Sequence, residues 1–129
     1  MTSLETKMKF LLILLISFGA HAQSAKLGTL SVTIDASGTP EVISTAALYV
    51  REAYISAASS NTGLIYIGVS GATATADAGT TLTKGSGTLV GSVLKLGDLS
   101  NGASPKINLA DIWAGAATNA DKVNVFYVE

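Results

Sequence analysis

Residues 30–35 read Leu30-Ser-Val-Thr-Ile-Asp35. Leu30, Val32 and Ile34 fall on one side, and Ser31, Thr33 and Asp35 on the other. A period of two marks a half-buried β-strand, because successive side chains leave a pleated strand on opposite faces. Ser37-Gly38-Thr39-Pro40 closes the segment with turn residues. At the far end of the chain, Lys122-Val-Asn-Val-Phe-Tyr-Val128 reads as the final strand.

Between these ends the strand signals are shorter. Leu64-Ile-Tyr-Ile-Gly-Val69 is rich in β-branched and aromatic residues and reads as a strand. Residues 42–58 are ambiguous. Ala46 to Ala53 contains the helix formers Ala, Leu, Arg and Glu, yet Leu48, Val50 and Tyr54 also suit one strand face, with Tyr49 and Arg51 opposite. The strand reading is adopted, from about Leu48 to Ala57. With Asn61-Thr62-Gly63 as the turn, this segment and 64–69 are expected to form a hairpin. Ser70 to Thr80 reads as a connecting loop. Thr81 to Lys84 and Leu89 to Leu96 read as strands split by Gly85-Ser86-Gly87. Gly97 to Pro105 is a second loop, Lys106 to Trp113 an extended or single-turn segment, and Gly115 to Asp121 a turn. About seven short strands at even spacing predict an all-β fold, a small antiparallel β-sandwich, jelly-roll-like or Ig-like.

The N-terminus has a different character. Lys7 and Lys9 precede the apolar run Phe10 to Phe18, followed by Ala20-His21-Ala22. Basic start, short apolar stretch and small-x-small site are the three parts of a secretory signal peptide. Met8 would serve equally as its start. The run is far below the roughly 20 apolar residues that span a bilayer. A short N-terminal anchor or a buried helix is the other reading. The expected organisation is an apolar leader helix over residues 1–22 and one domain over 23–129, with membrane contact only through the leader.

Composition narrows the chemistry. The 129 residues hold 8 Lys+Arg, 9 Asp+Glu, one His and no Cys, for a net charge of −1. The basic blocks of a nucleic-acid-binding surface are missing. No disulfide, thiolate nucleophile or Cys-ligated zinc is possible. Beyond residue 22 the chain carries six basic and eight acidic side chains and no histidine. It thereby lacks the usual general base near neutral pH and the commonest metal ligand. No Gly-x-Ser-x-Gly elbow or phosphate-binding Gly-x4-Gly-Lys-Ser/Thr loop occurs. Asp77, Asp98, Asp111 and Asp121 show no Asp-x-Asp pairing for calcium and read as solvated turn residues. A hydrolase would need a carboxylate pair about 5–10 Å apart, which nothing in their spacing suggests. No catalytic, cofactor-binding or metal-binding residue is therefore expected. Tyr49, Tyr54, Tyr66, Trp113 and Tyr127 suit a core, a subunit interface or a sugar platform. Trp113 and Tyr66 are the candidate interface anchors.

Three sequence elements stand in order between Val50 and Val128. The first is Ile55-Ser-Ala57, Asn61-Thr-Gly63 and Ile65-Tyr-Ile-Gly68 with Ser70-Gly71. The second is Gly79-Thr-Thr-Leu82 with Lys84-Gly85. The third is Asn108-Leu-Ala-Asp-Ile-Trp113 with Val123-Asn-Val-Phe-Tyr127. This ordered set resembles small structural proteins of tailed bacteriophage virions. The resemblance implies a non-enzymatic, usually oligomeric β-sandwich that decorates capsids or builds fibre and tail parts. Its implied partners are other virion proteins and further copies of itself, and its implied location is the virion. The leader supports an alternative, a secreted bacterial surface or adhesin-like module.

Overall fold

Alternation in sequence becomes alternation in burial. The computed structural model describes residues 25–85, 91–98 and 106–129; the expected leader, 1–22, lies outside the described residues. Among the latter, ten strands follow in chain order: β1 (Leu27–Ile34), β2 (Glu41–Val42), β3 (Tyr49–Val50), β4 (Glu52–Ala57), β5 (Ile65–Gly68), β6 (Thr80–Leu82), β7 (Val93–Gly97), β8 (Ile107–Asn108), β9 (Trp113–Ala116) and β10 (Asp121–Val128). A single 3-10 turn, Leu109–Asp111, interrupts them. The described residues are all-β, and every strand pairing among them is antiparallel.

The pairings are nested. β1 pairs β10, β2 pairs β9, β3 pairs β8, β4 pairs β7 and β5 pairs β6. This is the pattern of one long hairpin with its tip at β5–β6. Two further pairings, β10 with β4 and β9 with β5, roll that hairpin up. The result is a first sheet of order β1-β10-β4-β7, a second of order β2-β9-β5-β6, and the two-stranded ladder β3-β8.

The inward faces of both four-stranded sheets feed one apolar cluster. Ile34, Ala53, Ile55, Val123 and Val125 come from the first sheet, and Ile65, Ile67, Leu82, Ala114 and Ala116 from the second. Ile43, Val50, Leu109 and Ile112 complete it, Val50 and Leu109 being fully buried. Each buried Ile or Val contributes about 1.5–3 kcal/mol by leaving water. With no cysteine in the chain, this cluster is what joins the sheets.

The expected hairpin of residues 48–57 with 64–69 is not formed. β4 lies in the first sheet and β5 in the second. The link between them is held across the start of β10 instead. Asn61 is 1% exposed, and its side-chain amide imitates a strand: Nδ2 donates to the Lys122 carbonyl (2.8 Å), and Oδ1 accepts from the Lys122 N–H (2.7 Å). Beside it, the Asp121 carboxylate accepts from the N–H groups of Thr62 (2.9 Å) and Gly63 (2.8 Å). Asp121 is thus a buried corner residue, 4% exposed, rather than the solvated turn residue expected of it.

Two other boundaries differ. The strand expected from Leu48 to Ala57 breaks at Arg51, whose N–H bonds the Val128 carbonyl (2.7 Å). Gly97 makes room there: it has φ +79°, and a β-carbon on it would collide with the Arg51 carbonyl. The break places β3 and β4 in different ladders, so Val50 points into the core while Tyr54 faces outward. Gly115 belongs to β9, not to a turn; the reversal occupies 117–120 and ends with the Ala120 N–H donating to the Ile34 carbonyl (2.9 Å). Residues 86–90 and 99–105, parts of an expected strand and loop, lie outside the described residues.

Candidate functional site

Pairing register decides what the first sheet shows to solvent. Directly opposed residues share a face, so Thr29, Phe126, Tyr54 and Lys95 form one row across the four strands. Ser31, Asn124, Ser56 and Val93 form the next, and Leu27, Val128, Glu52 and Gly97 the row beyond. All lie opposite the core-facing phase of Val123, Val125, Ala53 and Ile55.

This outward face is a trough of about 450 Å³, lined by Thr29, Ser31, Tyr54, Ser56, Val93, Asn124 and Phe126. Its floor is polar and its rim apolar. Ser31 Oγ donates to Asn124 Oδ1 (3.1 Å). Beside that pair stand Phe126, 41% exposed, and Val93, 56%, while Leu27, 61%, lies farther along β1 beyond Thr29. The Tyr54 and Phe126 ring centroids are 6.2 Å apart with planes inclined at 41°, a tilted pair within the favourable range for aromatic rings.

Tyr54 is anchored from one end. Its hydroxyl donates to Glu52 Oε1, and Lys95 Nζ stands 3.4 Å from Glu52 Oε2 and 6.0 Å above the Tyr54 ring. The hydrogen bond to Glu52 holds the Tyr54 hydroxyl above its ordinary pKa, with desolvation adding to it. The Glu52 charge likewise raises that of Lys95. Glu52 is 4% exposed, so its carboxylate is committed to fixing a ring. What this face offers a partner is two positioned aromatic rings, aliphatic neighbours and a few hydroxyl and amide groups. Among the described residues no three His, Asp or Glu side chains gather as a metal site.

Trp113 and Tyr66 lie on the second sheet. Tyr66 opposes Gly115 and Trp113 opposes Gly68, so both point outward on the same face, and both are half-buried. The chain itself supplies much of their cover. The segment 70–79 crosses this face: Ala74 is 1% exposed, and a β-carbon on Gly115 would collide with its carbonyl. Gly71 lies over the Trp113 ring and Gly79 against Tyr66. A smaller concavity of about 280 Å³ remains beside Tyr66, lined by Ser37, Gly38, Ala74 to Ala76 and Gly115 to Ala117.

Sequence reasoning overlooked Phe126, Val93 and the outward role of Tyr54. The signal for Phe126 was present: it falls in the polar phase of its strand, with Lys122 and Asn124. Two of the ordered sequence elements have architectural roles. Asn61-Thr-Gly63 is the buried corner. Asn108 caps the 3-10 turn through Ala110 N–H (3.2 Å) and also accepts from Leu48 N–H (3.0 Å). No family model, curated protein or solved structure matches this chain.

Proposed function

We propose that this chain is a non-catalytic structural module of a bacteriophage virion, a capsid decoration, fibre or tail component that acts through subunit contacts. The observation that carries this reading is the outward face of the first sheet. A rigid sheet presents Phe126, Val93 and Leu27 to solvent beside an anchored Tyr54, and aromatic anchors on a firm scaffold are what tight protein interfaces use. The nested winding supports it further. We read the architecture as a jelly-roll β-sandwich, one of the forms used by viral capsid and lectin domains; that step is an analogy of fold. The ordered elements from Ile55 to Tyr127 point the same way. The concavity beside Tyr66, with Trp113 nearby, is a secondary contact surface.

Mass spectrometry of purified particles tests the reading. Peptides of this chain are expected at stoichiometric levels, and a Phe126→Asp chain is expected to be depleted from particles at equal expression. Absence of the wild-type chain from particles overturns it. The basic-apolar-small pattern of residues 7–22 favours a second reading, a secreted surface module. A native N-terminal peptide starting at Gln23, on a chain missing from particles, establishes that one instead.

A further inference from the structure

The two four-stranded sheets end in four edges, and three of them are blunted. β2 has two residues and carries Glu41; β6 has three; β7 has five with Lys95 at its centre. Short length and an inserted charge are the usual defences of an edge against pairing with another chain. β1 has neither. It runs eight residues as Leu27-Gly-Thr-Leu-Ser-Val-Thr-Ile34, with no charge and no proline, and among the described residues only β10 pairs with it.

Hydrogen-bond phase shows which groups it leaves open. The Glu129 N–H donates to the Lys26 carbonyl (2.9 Å). In an antiparallel ladder, residues alternate between turning both backbone groups toward the partner and turning both away. Lys26, Gly28, Leu30 and Val32 therefore face β10, while Leu27, Thr29, Ser31 and Thr33 turn theirs to the open edge. The side chains complete the argument. Leu30 and Val32 belong to the inward face but are only half-buried, so the core is unfinished along this border.

The segment Thr29-Leu-Ser-Val-Thr33 is nearly symmetric about Ser31. Antiparallel pairing with a copy of itself around that residue sets Thr29 opposite the partner's Thr33, Leu30 opposite the partner's Val32, and Ser31 opposite the partner's Ser31. Threonine pairs and aliphatic pairs are both favourable across strands, and no like charges meet. The backbone phase agrees. Outward groups sit at odd-numbered residues in both copies, so the two-fold axis must pass through a residue rather than between two.

We propose that β1 is a self-pairing edge, through which two copies of this chain join their first sheets into one continuous eight-stranded sheet with a two-fold axis at Ser31. Thr29 and Ser31 also line the outward trough, so this union sets the two troughs side by side across the seam. The proposal does not depend on the virion reading.

Because the chain has no cysteine, single-cysteine variants of the full chain give a clean test. An interlocked pair at Ser31 places the two α-carbons about 5.5 Å apart, within disulfide range. Under mild oxidation, Ser31→Cys is expected to form a covalent dimer at least about tenfold faster than Thr29→Cys, whose two copies lie apart along the seam. Sedimentation of the unmodified chain is expected to show a concentration-dependent dimer, which Ser31→Lys weakens by about tenfold or more through like charges facing at the axis. A chain monomeric at every concentration, with Ser31→Cys trapped no faster than Thr29→Cys, overturns the proposal. That includes the case in which residues 1–24 occupy the edge. A monomer still recovered in particles removes the pairing and leaves the virion reading standing.

Discussion

The two sheets share a core but treat their outward faces in opposite ways. The second sheet lays residues 70–79 over its own surface, so Trp113 and Tyr66 are half-buried and Ala74 is sealed. The first sheet has no such cover among the described residues, and although Tyr54 is half-buried, Phe126, Val93 and Leu27 stand open. Both faces carry aromatic residues, so composition does not separate them. The difference lies in small residues. Gly68, Gly71, Gly79 and Gly115 let a loop lie flat on the second sheet, whereas the outward rows of the first carry side chains at every paired position except Gly97. An internal cover makes aromatic side chains part of the fold; without one, they are left for a partner.

The largest effect should come from the corner on which both sheets depend. Asp121→Ala removes the charged acceptor of the part-buried Thr62 and Gly63 N–H bonds, and a hydrogen bond to a charged group contributes about 1.5–3 kcal/mol. A destabilisation of roughly 3 kcal/mol or more is expected in urea unfolding, with Asp121→Asn falling between it and wild type. An unchanged midpoint would show that the corner holds nothing. Next comes the cover itself. Gly115→Val drives a side chain into the Ala74 carbonyl and is expected to cost about 2–3 kcal/mol. Trp113 is the only tryptophan, so lifting the cover should shift the emission of the folded protein to the red. If emission holds still, residues 70–79 do not shield that ring.

Much of this comparison could be read in advance, and the part that could not has a physical cause. The strand character of residues 30–35 follows from local alternation and that of 64–69 from β-branched and aromatic content, and the structure has strands there and at 122–128. The turn at 37–40 also forms, with the Thr39 N–H donating to the Ala36 carbonyl (3.1 Å). Pairing partners are not local. Asn61 and Asp121 have turn-forming chemistry, and only their meeting across 60 residues of chain makes them a buried corner that splits the expected hairpin. Gly115 looked like a turn residue because glycine usually marks one; here it marks close backbone approach inside a strand. Phe126 was legible from its phase. Tyr54 was not, because the break at Arg51 resets the alternation on which its facing was judged.

Removing Phe126 sharpens the contrast from the other side. Because its ring is 41% exposed, Phe126→Ser should lower folding stability by less than about 1 kcal/mol, as surface changes usually do. If the open face is where partners bind, the same change should weaken association by about 2 kcal/mol or more, roughly thirtyfold. Denaturation and binding to particles lacking the chain separate the two quantities. A large loss of stability with unaltered binding would make Phe126 a structural residue, and the two faces would then be alike.

The smallest effect lies in the alkaline range and asks whether the open face is held rigid. The Tyr54 hydroxyl is held above its ordinary value near 10.0, first by its hydrogen bond to Glu52, and Lys95 is held above 10.5, first by the charge of Glu52. Both shifts are upward. Above about pH 10 the folded chain therefore retains protons that the unfolded chain has released, and stability falls as pH rises through the folded values. Below that window the contribution is complete, so nothing should change between about pH 6 and 9 from these groups. Lys26, raised by Glu129 at the far end of β1, adds to the same decline and is removed by working in a Lys26→Gln background. In that background, Tyr54→Phe should flatten part of the fall in melting temperature between about pH 9.5 and 11. If the decline keeps its slope, the hydroxyl is not engaged with Glu52, the ring is free to turn, and the open face loses the preorganisation that distinguishes a docking surface from merely uncovered strand.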